Sequence, residues 1–147
     1  MQKIENKNYA IILEVLNEAK TLTKTKLVKI LFLIDLYYNK MRGKKLSTLD
    51  YTLYFYGPYP AEIEKILGYL KAFDYINFEE RLSYEGKRYY LISISKEFKE
   101  NKLLTDEEKA FIKNVVNRYS RKDLDEILKE VYAMDKVKNG KFGEVIM

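Results

Sequence analysis

Between Leu27 and Leu36 the chain reads LVKILFLIDL, apolar except for Lys29 and Asp35. A helix over this stretch is apolar on nearly every side, so it must be surrounded, and the rest of the chain has to supply the elements that surround it. Thr23 is placed to cap its start and Gly43 to end it, which predicts a helix within TKTKLVKILFLIDLYYNKM. Asp35 inside such a helix is costly unless it is hydrogen-bonded, so it is expected either to meet a polar partner or to mark an exposed stripe. Local spacing fixes no second carboxylate beside it, and no paired acid–base site is read there.

The elements that could wrap this axis follow from periodicity. From Asn6 to Ala19, Tyr9, Ile12, Leu13 and Leu16 recur with helical spacing and predict a first amphipathic helix. After RGKKLSTLD, the run YTLYFY is β-branched and aromatic and reads as a short strand. AEIEKILGYLKAF then puts Ile63, Ile66, Leu67 and Leu70 on one helical face, with Pro60 suited to the first turn and Glu62 and Glu64 near the positive end of the dipole. In YINFEERLSYEGKRYYLISIS two β-rich arms flank Glu85-Gly86. A two-residue turn there pairs Leu82 with Tyr89 and Arg81 with Tyr90; a longer loop is the alternative, because Glu is a poor first turn residue. Thr105 with Glu108 forms a capping-box pattern ahead of TDEEKAFIKNVVNRY, and KDLDEILKEVYAM follows as a further helix. The tail KVKNGKFGEVIM lacks a firm pattern and is expected to fray unless Phe142, Val145 and Ile146 dock.

This order predicts an α+β, predominantly helical fold in one domain, residues 1–147. Its core, roughly residues 1–95, is winged-helix-like, with helices, a short strand and a β-hairpin wing, and the C-terminal helices of 96–147 pack on it.

Composition narrows the chemistry. Cysteine and histidine are both absent, which removes disulfides, thiolate chemistry, the usual zinc ligand sets and histidine-based triads. No metal, cofactor or catalytic residue is therefore assigned. No apolar run is long enough to span a membrane and the start lacks a signal-peptide pattern, so the expected location is cytoplasmic. The net charge of +5 is unevenly placed: residues 1–45 carry 10 Lys/Arg against 4 Asp/Glu, whereas the rest of the chain is nearly balanced. A basic first third suits nucleic acid or an acidic protein surface.

Two features are candidates for contact with a partner. YFYGPYP, Tyr54 to Pro60, holds both prolines of the chain. A phosphate loop is excluded, since two prolines remove two N–H donors and the first helical turn that follows carries carboxylates. The segment is either a turn into a helix, with Gly57 bending it and Pro58 fixing it, or a partner surface in which Tyr56 and Tyr59 are anchors beside a rigid Gly57-Pro58. The second candidate is a nucleic-acid face, with Lys24, Lys26 and Lys29 at the start of the apolar helix and Arg81, Lys87 and Arg88 on the wing. Against it, the wing also carries Glu79, Glu80 and Glu85, and the apolar helix can expose only its first turn.

KLVKILFLIDLYYNKMRGKKLSTLDYTLYFYGPYPAEIEKIL resembles the Panacea, or SocA-like antitoxin, domain: a helix with Leu-x-Lys and an aliphatic-aromatic run, a glycine-containing spacer, then a strand ending in aromatic-x-Gly-Pro before another helix. Leu27, Lys29, Gly43, Tyr56, Gly57 and Pro58 fall on that pattern, and the resemblance covers roughly residues 20–95. It implies a mostly helical protein with a small sheet and no enzymatic activity, which binds and neutralises a toxin; some relatives act as proteolytic adaptors. The function expected is a non-catalytic protein-binding module resembling an antitoxin, the alternative being a winged-helix DNA-binding regulator.

Overall fold

The computed structural model describes residues 4–55, 57–95 and 101–147. It is a mixed α+β fold, about half helical, with small antiparallel sheets. Helix α1 (Lys7–Ala19) starts at an Asn6 cap whose side chain accepts from the Asn8 N–H. Helix α2 (Lys24–Arg42) starts where Thr23 accepts from the Lys26 N–H and stops at Gly43, whose φ of +75° lets its N–H turn back to the Asn39 carbonyl. Every residue from Leu27 to Leu36 is buried, Lys29 and Asp35 included. The sequence required this helix to be enclosed, and it is, by contacts with strands and with the C-terminal helices.

Between α1 and α2 lies a strand that periodicity did not show, β1 (Thr21–Thr23). Three residues cannot display an alternation, and its strand identity comes from pairing Thr21 with Ser93 and Thr23 with Leu91. A hairpin follows α2: β2 (Tyr51–Tyr54) and β3 (Gly57–Pro60) pair antiparallel, Tyr51 opposite Pro60 and Leu53 opposite Pro58. The expectation that Pro60 opens a helix is therefore corrected, because both prolines lie in a strand and helix α3 (Ile63–Ala72) starts beyond them. Proline is tolerable here because the N–H and C=O groups of Tyr51 and Leu53 point away from β3 to residues 143–147, leaving Thr52 and Tyr54 to bond β3 through Tyr59 and Gly57. The prolines face the non-bonded positions of the ladder, where their missing donors cost nothing.

Strands β4 (Ile76–Leu82) and β5 (Arg88–Ile94) complete a sheet in the order β1-β5-β4. Their register differs by one residue from the two-residue-turn pairing: Leu82 faces Arg88 and Arg81 faces Tyr89. The hairpin closes on Ser83 and Lys87, with the Ser83 N–H bonded to the Lys87 carbonyl at 2.9 Å and Gly86 at a φ of +79°. This is the longer, bulged loop that a glutamate at position 85 favours over a primed two-residue turn. The shift exchanges which residues share a face, so Tyr89 rather than Tyr90 stands beside Arg81.

Helix α4 (Asp106–Tyr119) opens with the capping box, Thr105 and Glu108 each bonding the other's backbone N–H, and Lys7 ties Glu108 to α1 at 2.7 Å. Helices α5 (Leu124–Tyr132) and α6 (Asp135–Lys138) follow. The tail is docked rather than frayed: Tyr51 and Leu53 exchange backbone hydrogen bonds with residues 143–147, and Ile146 packs on the core. The side chains of Phe142 and Val145 stay exposed.

Candidate functional site

The β2–β3 turn, the start of α2 and the outer end of β5 converge around Lys29. A cleft of about 280 Å³ is lined by Thr23, Lys24, Thr25, Val28 and Lys29 of the α2 start, Tyr59 of β3, and Arg88, Tyr89 and Tyr90 of β5. Lys29 ties α2 to β3. It is buried, and its Nζ donates to the Pro58 carbonyl at 3.1 Å. Burial lowers its pKa to about 8. The sequence offered Lys29 as one residue of a candidate nucleic-acid face; in the structure its side chain is buried and points under the hairpin.

Gly57 adopts a φ of +93°, and a Cβ there would sit 3.4 Å from Lys29 Cε. The strain of a positive φ, rather than a lack of room, sets the cost of a side chain. Gly57→Ala is expected to lower the unfolding free energy by about 1–2 kcal/mol in urea denaturation. A change near zero would remove the strained-turn account.

Tyr59 is half-buried, and its hydroxyl donates to Glu64 Oε1 at 2.5 Å. Its pKa is raised by burial and by the Glu64 carboxylate. Lys24 reaches the same carboxylate and stands 5.8 Å from the Tyr59 ring and 5.7 Å from the Tyr90 ring. Partial burial pushes Glu64 up, but the hydrogen bonds from Lys24 and Tyr59 outweigh it and hold the carboxyl below its ordinary range. Gly57 and Pro58 are buried and shape the turn; Tyr56 lies outside the described residues.

The other expected nucleic-acid contacts are each engaged within the protein. Lys26 donates to the Ser120 carbonyl at 2.7 Å, Arg81 to Glu79 at 2.8 Å, Lys87 lies 3.8 Å from Glu85, and Arg88 lies 3.3 Å from Glu80. Lys24 and Arg88 join the cleft, whereas Lys26, Arg81 and Lys87 are not among its lining.

Beside the turn lies a surface that sequence reading did not single out as such. Phe55 at 82% exposure and Phe142 at 60% meet at 4.7 Å between ring centroids, and Tyr54 lies 5.9 Å from Phe142 and 6.0 Å from Tyr59. Tyr132 of α5 donates to the Phe55 carbonyl at 3.0 Å and fixes the turn. YTLYFY was legible as a strand, but not that Phe55 leaves the ladder at its tip. Phe142 was flagged for docking, and its ring, 60% exposed, meets the exposed rings of Tyr54 and Phe55.

Among the described residues, no group of three or more Asp or Glu side chains is placed to hold a metal, and no helix is long and apolar enough to cross a membrane. The fold and these contacts define a small mixed α+β domain whose distinguishing surfaces are an aromatic patch and a tyrosine-lined cleft. The chain belongs to the antitoxin SocA-like, Panacea domain family, whose model matches residues 27–136. The match takes in α2 from Leu27 onward, both hairpins and the C-terminal helices as far as the start of α6. No curated protein and no solved structure matches the chain.

Proposed function

We propose that this chain is a non-catalytic, cytoplasmic protein-binding module that binds and neutralises a toxin partner, and that it does so through the aromatic surface at the β2–β3 turn. Family membership supports the toxin–antitoxin role. The observation that carries the choice of surface is the Phe55–Phe142 pair, two exposed rings in mutual contact beside a turn held by Pro58, Lys29 and Tyr132. Exposed aromatics held on rigid backbone lose little entropy on binding and are enriched among residues that dominate interface energy. Gly57 and Pro58 then shape the surface, Tyr59 borders it, and Tyr54, Phe55 and Phe142 supply the anchors.

The core order of helix, short strand, helix, helix and hairpin, with the sheet order β1-β5-β4, supports a winged-helix-like description with a hairpin inserted before the third helix. A DNA-binding role gains nothing from this order alone, because the cations it would use are engaged with carboxylates or carbonyls, or are buried.

The test is co-expression with a toxic protein encoded beside this chain. Phe55→Ser and Phe142→Ser are each expected to weaken the complex by about tenfold or more and to abolish growth rescue, while the melting temperature stays unchanged. Unchanged affinity with full rescue would place the contact elsewhere.

A further inference from the structure

Strand β1 accompanies β5 for only part of its length. It pairs Thr21, Leu22 and Thr23 with Ser93, Ile92 and Leu91, and at Lys24 the chain turns away into α2. β5 extends further, through Tyr90 and Tyr89 to Arg88, and among the described residues no strand lies beside these on that side. Backbone groups alternate in direction along an antiparallel strand, which fixes what this stretch of edge presents. The Lys87 carbonyl and the Ser95 N–H bond on the β4 side, to Ser83 and Tyr75, whereas the Ile94 N–H bonds to the Lys20 carbonyl on the β1 side. Even-numbered residues of β5 therefore face β1, and the Tyr90 N–H and both backbone groups of Arg88 face the place that β1 has left. That place is the cleft, which is lined by Thr23, Lys24 and Thr25 where the chain diverges and by Arg88, Tyr89 and Tyr90. The outer edge of β4 is open as well, but its exposed Glu79, Glu80 and Arg81 are charges of the kind that keep edges from pairing.

We propose that Arg88–Tyr90 is a strand-addition site: an extended segment of a partner protein runs antiparallel to β5, in line with β1, and continues the strand that β1 breaks off. Its backbone would bond Arg88 and Tyr90, as Leu22 lies opposite Ile92 one step along. A residue opposite Tyr90 shares the face of Tyr90 and the buried Ile92. On that face the Tyr59 and Tyr90 rings flank the Lys24 ammonium, and the cleft of about 280 Å³ suits one apolar or aromatic side chain of an extended segment. Opposite the exposed Arg88, with Lys24 also lining the cleft, an acidic residue is favoured over a basic one. The proposal rests on the reading of the chain as a protein-binding module and adds to it a contact separate from Phe55 and Phe142.

The test is a titration of the whole chain with the peptide acetyl-Tyr-Thr-Glu-Thr-amide, whose tyrosine and glutamate would stand opposite Tyr90 and Arg88, followed by backbone amide resonances at constant ionic strength. Saturable shifts at Arg88 and Tyr90 are expected. Methylating the glutamate nitrogen, which faces the Arg88 carbonyl, is expected to weaken binding by about tenfold or more while leaving every side chain in place. Methylating the first threonine nitrogen, which points away from β5, should change it by less than about twofold. On the protein, Arg88→Pro removes an N–H that the β4 ladder does not use, at the first residue of the strand, so the fold should persist and binding read at Tyr90 should fall about tenfold. Arg88→Ala keeps that N–H and should lose only about threefold. Should Arg88→Pro fail to fold, the two methylated peptides decide. Shifts that do not saturate, that centre on Phe78, Glu80 and Leu82 of β4, or that survive methylation of the glutamate nitrogen would overturn the proposal. Failure of the wider protein-binding reading would show instead as no complex between the wild-type chain and the co-expressed toxic protein.

Discussion

Asp35→Ala is expected to cost about 3–5 kcal/mol of unfolding free energy, enough to leave a marginally stable domain largely unfolded. The carboxylate is buried in the middle of α2 and accepts three hydrogen bonds: from the Ser47 N–H at 2.8 Å, the Ser47 hydroxyl at 2.5 Å and the Tyr51 hydroxyl at 2.7 Å. These bonds anchor the loop after α2 and the first residue of β2, so alanine strands donors from two segments in an apolar interior. Asp35→Asn keeps one acceptor oxygen, and the two hydroxyls can rotate to accept from its amide, so about half the loss should be recovered. Urea denaturation of both variants separates the accounts. Equal losses would mean that the negative charge, rather than the number of acceptors, stabilises this junction.

The second large effect is a dependence of stability on pH. In the unfolded chain Lys29 keeps its proton up to about pH 10.5, in the folded chain only to about 8. Below pH 8 both states are protonated and the folded state bears the cost of the buried charge. Between about 8 and 10.5 the folded state binds fewer protons than the unfolded one, so stability rises with pH. The expected gain is on the order of 2 kcal/mol. Tyr51, Tyr59 and Tyr119 act in the opposite sense: burial first, and then neighbouring carboxylates or tyrosine, raise their pKa values, so above about pH 10 the unfolded chain ionises first and stability falls. A maximum between about pH 9 and 10 is expected in denaturant midpoints, and Lys29→Met should flatten the rise below it. A rise that survives this substitution would assign it to another group.

The helices were legible in the sequence because their signals are local. Thr23, Gly43 and the Thr105–Glu108 box act within a turn of their own backbone and give α2 and α4, and the spacing of Tyr9, Ile12, Leu13 and Leu16 gives α1. What stayed hidden depends on residues far apart. Strand β1 is defined by β5, some seventy positions later, and the strand character of Gly57–Pro60 by the tail, which takes up the other edge of β2 and lets two prolines occupy a ladder. The candidate site divides in the same way. The Gly57-Pro58 turn was visible as unusual, and a polar partner for Asp35 was among the expectations. Lys29 carried no local mark to distinguish a lysine under a hairpin from one on a solvated helix end. Phe55 and Phe142, far apart in the chain, meet where the tail's backbone bonds to β2.

The docked tail also bears on how the protein is made. The edge of β2 that it covers, at Tyr51 and Leu53, is synthesised about ninety residues before the residues that pair with it. During translation that edge, with the exposed aromatic tip beside it, is presented bare while the ribosome completes the C-terminal helices. The nascent chain is therefore most open to capture by another strand, or by a chaperone, in the interval before residues 143–147 emerge.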